Sequence, residues 1–158
     1  MAWALLRWWP EEDVVEKILV TMNPAHTRLF AGLHALNLAR RINARVIFLL
    51  VSPAGAGRSG RSPVSRNEAA LKKRVEALID EARSDGVAVD YYAASGDYEG
   101  ELIRFVQDNK VTLLVVETPV GPPETAETFR NFLNKLRHRI DCRIEVVNEK
   151  PKTPDRKE

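Results

Sequence analysis

The stretch LLVVETPVGPPETAETFRNFLNKLRHRIDCRIEVV, residues 113–147, has the pattern of a strand, a loop, an amphipathic helix and a second strand. In an α/β nucleotide-binding fold, the loop after such a strand holds phosphate, for which it needs inward-pointing backbone N–H groups and glycines. Here the loop at residues 117–124 contains one glycine and three prolines. Proline has no N–H and fixes φ. The sequence therefore predicts the frame of a nucleotide-binding fold without the loop that holds phosphate.

The composition fits one cytoplasmic domain. A chain of 158 residues that is 44% hydrophobic can bury one substantial core. Its 24 basic and 22 acidic residues are interleaved, whereas a nucleic-acid-binding domain concentrates its positive charge. Cys142 is the only cysteine, which excludes an internal disulfide and fits a reducing compartment. We therefore expect a cytoplasmic protein that does not bind nucleic acid.

The two ends of the chain differ from the middle, which forms the predicted domain at residues 17–148. The leader, residues 1–16, is apolar at first but is interrupted by Arg7 and Pro10, so it predicts neither a signal peptide nor a membrane span. It holds every tryptophan of the chain, and these need cover from the domain or its dimer mate, from a protein partner or, with least support, from a membrane surface: Trp3, Trp8 and Trp9. The charged tail at residues 149–158 is predicted to be disordered.

Between these ends, short β-branched runs alternate with amphipathic segments. The strands are predicted at residues 17–22, 45–51, 87–92, 111–116 and 143–147. The helices are predicted at residues 27–42, 67–83 and 97–109, and over a last apolar stripe formed by Phe129, Phe132, Leu133, Leu136 and Ile140. The second and fourth strands are almost continuously apolar, which favours interior positions. The pattern predicts an α/β fold, a single doubly wound parallel sheet with helices on both faces.

Several segments resemble the universal stress protein family. The segments KILVTMNPAH (residues 17–26) and ALNLARRINARVIFLLV (residues 35–51) are similar to the first strand, first helix and second strand of that family, and SGDYEGELI (residues 95–103) resembles the start of its third helix. Residues 115–147 have the length of the family's last strand–loop–helix–strand unit, with Cys142 before the final strand. The resemblance covers roughly residues 17–147. It implies the strand order 3-2-1-4-5 and a homodimer that pairs through the fifth strand, residues 143–148, which starts at Arg143 and ends at Asn148.

The chain departs from the family where the ATP-binding members carry a Gly-x2-Gly-x9-Gly-Ser/Thr signature. The corresponding positions here hold Glu117, Val120, Arg130 and Asn131. Asn23 stands where such members have an acidic residue at the end of the first strand. The resemblance therefore implies the branch without tight nucleotide binding, a regulatory or protective interaction module with no cofactor.

A nucleotide-binding alternative remains open. It keeps ATP or AMP in the crevice at the carboxyl ends of the first and fourth strands, where the strand order reverses and ligands of open α/β sheets bind. The candidate cofactor-binding residues on its rim are Asn23, Val51, Thr118 and Gly121.

Other motifs favour ordinary structural roles. The glycines of GAGRSG, residues 55–60, match a dinucleotide fingerprint, but residues 61–65 separate them from the next helix, so a flexible connection is the better interpretation. The three histidines have no neighbours at metal-ligand spacing, which predicts no metal site. Asp97 is well placed to cap a helix. No nucleophile and base are paired in a recognisable motif, so we expect no catalytic residues and no enzyme activity.

Overall fold

The computed structural model describes residues 16–22, 29–52 and 63–148, the side chains of residues 63–68 excepted. Five strands and four helices alternate: β1 (Lys17–Met22), α1 (Phe30–Ile42), β2 (Arg45–Ser52), α2 (Pro63–Ser84), β3 (Ala88–Ser95), α3 (Tyr98–Asn109), β4 (Leu113–Glu117), α4 (Pro123–Arg139) and β5 (Arg143–Val147). The predictions for the leader tryptophans, the 55–60 glycines and the tail at residues 149–158 lie outside the described residues.

The five strands form one parallel sheet in the order β3-β2-β1-β4-β5. This confirms the predicted fold class and strand order. The β2 and β4 strands flank β1 inside the sheet, as their continuous apolar runs predicted, and β2 is buried at every position after Arg45. A parallel sheet has helices on both faces, so interior strands do not alternate between apolar and polar residues.

Two apolar layers cover the sheet. On one face α1 and α2 pack against alternate strand residues such as Val20, Phe48 and Val115. On the other face α3 and α4 pack against Leu19, Leu114 and their neighbours. Because α1 and α4 leave the adjacent strands β1 and β4 toward opposite faces, a crevice opens between the carboxyl ends of these strands.

Gly32 allows α1 to lie close to the sheet. A Cβ atom at this position would come within 2.9 Å of the Phe48 ring. Phe48 is fully buried in the centre of β2, so the ring has little room to move. A larger residue at position 32 would therefore lift the helix or displace the ring.

Some element bounds differ from the predictions. The α2 helix begins at Pro63, four residues before the predicted start, and proline suits a first helical turn because the N–H it lacks has no partner there. The β3 strand continues to Ser95, paired with Ser52 of β2. The predicted apolar stripe of α2 is confirmed, since Leu71, Val75 and Ile79 are buried.

Candidate functional site

A cleft of about 660 Å³ lies at the carboxyl end of the sheet. Thr21 of β1 and Val116 and Glu117 of β4 lie at its floor, the first turn of α3 forms one wall, and one face of α4 forms the other. Its position is the crevice where the strand order reverses, which is where open α/β sheets bind ligands. The cleft therefore lies at the carboxyl ends of the first and fourth strands, where the sequence placed the crevice.

Aromatic rings form the deeper part of the cleft. The rings of Tyr98 and Phe132 stack with centroids 5.6 Å apart, and Phe129 continues the stack at 6.0 Å from Phe132. Phe129 and Phe132 lie three positions apart on α4 and so share one face of the helix. The three rings give the cleft an apolar wall that reaches from α3 to α4.

Two hydroxyl groups join β1 to α3 beneath this wall. The hydroxyls of Thr21 and Tyr98 share a hydrogen bond of 2.6 Å. Burial raises the pKa of Tyr98 to about 12, an effect that the Thr21 bond partly offsets and the charge of Glu117 reinforces. The phenol is therefore neutral across the physiological pH range, and its hydrogen bond to Thr21 links α3 to β1 at the floor of the cleft.

The cleft has a strongly acidic lining. Four of its described lining residues are carboxylic acids and one is a cation, Lys135. The Nζ atom of Lys135 lies 3.8 Å from Oε1 of Glu99. Asp97 caps α3, because its carboxylate accepts a hydrogen bond of 2.8 Å from the Gly100 N–H. Glu117 and Glu124 complete the acidic set, so the cleft favours positive charge.

Glu117 also occupies the N-terminus of α1. The backbone N–H of Ala31 donates a hydrogen bond of 3.2 Å to Glu117 Oε1. The helix follows Leu29, which has φ 70° and no side-chain group that can cap it, and its first turn holds no acidic residue. A helix N-terminus has exposed N–H groups and a partial positive charge, which makes it a common binding site for phosphate. In this chain a carboxylate of the protein itself fills that position.

The loop after β4 is tied to the protein and presents few N–H donors. Thr118 donates its backbone N–H to the Val147 carbonyl at 2.9 Å, and its hydroxyl bonds to the Asn148 side chain. Pro119, Pro122 and Pro123 have no N–H at all. The loop therefore offers few of the backbone donors that phosphate-binding loops use.

The predicted rim residues do not form the lining of the cleft in the part of the chain that the structure describes. Asn23 lies outside the described residues. Val51 is buried in the core beneath α3, and Thr118 is bonded to the end of β5. Gly121 is exposed, and a Cβ atom at this position would come within 2.6 Å of the Thr125 hydroxyl. The described residues that line the cleft do not include these three.

Sequence reasoning missed the residues that give the cleft its character. Phe129 and Phe132 were assigned to the helix core because the pattern cannot distinguish a core stripe from a cleft wall. The pairing of Thr21 with Tyr98 joins residues 77 positions apart, which no local pattern reveals. One available signal was the tyrosine directly after the capping Asp97, because a helix that begins at the carboxyl end of the sheet projects its first side chains toward the crevice.

Two other kinds of site are absent from the described residues. In that part of the chain, no group of three or more histidine, cysteine, aspartate or glutamate residues is arranged to hold a metal ion. Among the same residues, no helix has both the length and the apolar character needed to cross a bilayer.

Comparison with known proteins gives one family. A model of the universal stress protein family matches residues 15–147. A search of curated proteins found no significant match.

Solved structures share the fold at low sequence identity. A universal stress protein UspA from Lactobacillus plantarum is 15% identical, with a TM-score of 0.63 over 84% of this chain and 97% of that one. A universal stress protein from Archaeoglobus fulgidus in complex with dAMP is 12% identical, with a TM-score of 0.57 over 84% and 98%. A family member from Arabidopsis thaliana with AMP bound is 17% identical, with a TM-score of 0.52 over 85% and 92%.

Proposed function

The chain belongs to the universal stress protein family, and we propose that it acts as a regulatory or protective interaction module that does not hold a nucleotide tightly. On this proposal it works in the cytoplasm through association with other molecules, without catalysis and without a resident cofactor.

The observation that carries the proposal is the contact between Glu117 and α1. The carboxylate of Glu117 accepts a hydrogen bond from Ala31 at the end of a helix that points into the crevice. A phosphate group that approached the same N–H groups would have to displace this carboxylate or lie beside it. Two anions a few ångströms apart repel each other, and the repulsion is stronger in a partly buried cleft than in water.

The rest of the crevice supports the same conclusion. Among the described residues, the lining carries four carboxylates and one cation, and that cation lies near Glu99. The prolines of the 117–124 loop remove backbone donors. The described part of the crevice therefore offers a triphosphate little of the positive charge and few of the main-chain N–H groups that hold it in phosphate-binding loops.

A second candidate function is binding of adenine nucleotides at this crevice. Two observations favour it: the structural neighbours from Archaeoglobus fulgidus and Arabidopsis thaliana carry dAMP and AMP, and the cleft of about 660 Å³ has the volume of a ligand pocket. A monophosphate carries less charge than ATP, so AMP is the stronger form of this alternative.

Thermal unfolding with and without millimolar ATP or AMP tests the two candidates. A ligand present at about one hundred times its Kd stabilises the folded protein by about 2.7 kcal/mol, so an unchanged midpoint supports the module without nucleotide. A rise in the midpoint with either nucleotide would contradict it.

Matched variants make this test sharper. Glu117→Gln removes the charge at the α1 N-terminus and keeps the size of the side chain. Glu127→Gln is the control, since Glu127 is exposed on α4 and the cleft lining does not include it. If Glu117 excludes phosphate, any nucleotide-dependent stabilisation will emerge in Glu117→Gln and not in the control.

The edge strand β5 supports the proposal of a homodimer. Residues 144–147 are only partly buried, although β5 is an apolar strand at the end of the sheet order. An exposed strand edge presents unpaired backbone groups that a second copy can use. Light scattering should give about twice the monomer mass of 17.8 kDa. A mass equal to that of the monomer at micromolar concentration would contradict the dimer.

A further inference from the structure

We propose that the cleft binds an organic cation with an apolar body, an ammonium or guanidinium group attached to an aromatic or aliphatic carbon skeleton. This inference rests on the proposed function, because both require that the crevice does not hold polyphosphate. It adds the chemical class of ligand that the same cleft would accept.

The shape of the cleft fits a small molecule. Its volume of about 660 Å³ lies within the range of roughly 300–1,000 Å³ that ligand pockets occupy. Its lining combines the stacked rings with the carboxylates at the starts of α3 and α4. Apolar and anionic groups therefore lie side by side, which suits a ligand with an apolar body and a positive charge.

The aromatic wall contributes to both parts of such a ligand. Tyr98, Phe132 and Phe129 form a continuous stack. Within the stack the inner ring faces cover one another, whereas Phe129 lies at the end of the stack and has one face that neither of the other rings covers. Such a face packs against a carbon skeleton and attracts an ammonium or guanidinium group within about 6 Å of the ring centroid, but it repels an anion.

The charges of the lining favour a ligand with a positive charge. Asp97 caps α3 and Glu99 lies near Lys135, so these two acids have structural roles. Glu124 is exposed in the first turn of α4 and lines the cleft opposite α3. Glu117 accepts a bond from Ala31 and adds to the negative potential of the cleft. Glu124 is thus the carboxylate that we assign to the cation.

The test is isothermal titration calorimetry on the full chain with three probes of similar shape. They are phenethylamine, the neutral 2-phenylethanol and the anionic 3-phenylpropionate. We expect phenethylamine to bind at least about tenfold more tightly than either of the others, which corresponds to about 1.4 kcal/mol. Added salt should weaken the binding of phenethylamine, because screening reduces the attraction between its charge and the carboxylates.

Two variants and one control locate the binding site. Glu124 lies on the exposed rim, so Glu124→Gln is expected to leave the fold intact. This variant should weaken the binding of phenethylamine by about fivefold. Phe129→Leu keeps an apolar side chain and removes the ring, and it should weaken the amine by a similar factor. Glu127→Gln should leave binding unchanged. Circular dichroism of each variant separates loss of binding from loss of folding.

Each outcome separates the inference from the proposed function. Tight binding of phenethylamine that depends on Glu124 and Phe129 supports the inference. Equal binding of the three probes, binding that neither variant alters, or absence of amine binding overturns it and leaves the proposed function intact. If ATP or AMP binds and displaces the amine, the proposed function fails instead.

Discussion

The helices α1 and α3 both begin at the carboxyl end of the sheet, beside the crevice, yet their N-termini are satisfied in different ways. The α3 helix carries its own cap, because the Asp97 side chain accepts a bond of 2.8 Å from Gly100 and the first turn adds Glu99 and Glu101. The α1 helix follows Leu29 and has no acidic residue in its first turn. Its anion comes from Glu117, 86 positions away in sequence.

This difference shows that the negative charge favoured at a helix N-terminus can come from a neighbouring residue or from one that is distant in sequence. A helix N-terminus favours a nearby negative charge wherever that charge originates. A local cap stabilises only its own helix, whereas the Glu117 contact joins α1 to the end of β4. A remote carboxylate also occupies a position where a helix N-terminus commonly binds phosphate. On the proposed function, the cap of α1 therefore affects ligand selection as well as stability, whereas the cap of α3 affects stability.

The largest effect expected in this comparison concerns Tyr98, the first residue of α3. Burial raises the pKa of Tyr98 from 10.0 to about 12, so between these pH values the unfolded chain loses the phenol proton while the folded chain keeps it. The stabilisation is complete below pH 10 and is lost as the pH rises to about 12. Two pKa units correspond to roughly 3 kcal/mol.

Urea unfolding of the protein and of Tyr98→Phe, measured between pH 8 and pH 12, checks this prediction. The variant should be less stable at pH 8, because Thr21 loses its partner, but its stability should fall less steeply with pH. Parallel curves for the two proteins would show that the phenol does not titrate as expected.

The second prediction removes the local cap. Asp97→Ala deletes the acceptor for the Gly100 N–H and should lower the free energy of unfolding by about 1 kcal/mol. Asp97→Asn keeps a side-chain oxygen and should recover most of this loss. Hydrogen exchange of the α3 amides provides the measurement, since the effect should be concentrated in that helix. An equal loss in both variants would assign the effect to charge and not to capping.

The third prediction removes the remote cap. Glu117→Gln keeps an oxygen near Ala31 but removes the charge from the α1 N-terminus, and it should cost about 0.3–1 kcal/mol. Because Glu117 joins two elements, protection from hydrogen exchange should decrease in both α1 and β4. A decrease restricted to β4 would mean that the contact with α1 does not stabilise the helix.

The smallest effect is expected for a second remote contact of α1. The Nε2 atom of His34 lies 2.9 Å from Oε2 of Glu145 in β5, and both side chains are more than one-third exposed. Solvent-exposed pairs contribute little, so Glu145→Gln should change the free energy of unfolding by less than about 0.5 kcal/mol. Chemical denaturation at low and high salt measures this change. A loss above 1 kcal/mol would show that β5 holds α1 more strongly than its exposure suggests.

The comparison also explains which features the sequence could predict. Strand order, helix number and the Asp97 cap depend on local patterns and on a family resemblance, and all three were predictable. The bounds of β1 and β5 agreed with the prediction to the residue. The start of α2 at Pro63 was missed, because Ser65 and Glu68 have the spacing of a capping box in the sequence, which suggested a start near residue 67.

The candidate site was harder to predict because its parts are distant in sequence. The position of the crevice followed from the fold, and the loss of glycine at residue 117 was visible in the sequence. The contact of Glu117 with Ala31 and the pairing of Thr21 with Tyr98 were not visible, since each depends on how β1 and β4 lie together in the sheet. Local periodicity identifies the apolar face of a helix, but it does not show whether part of that face lines a cleft.

Gly32 lies between the buried core and the backbone amide that contacts Glu117. It lets α1 rest directly on the Phe48 ring, and it is the immediate neighbour of Ala31, whose amide meets Glu117. The depth at which the helix is anchored thus sets the height of that amide above the sheet. A methyl group added at position 32, beneath the helix, would therefore shift an amide at the mouth of the crevice, although residue 32 is not part of the cleft lining.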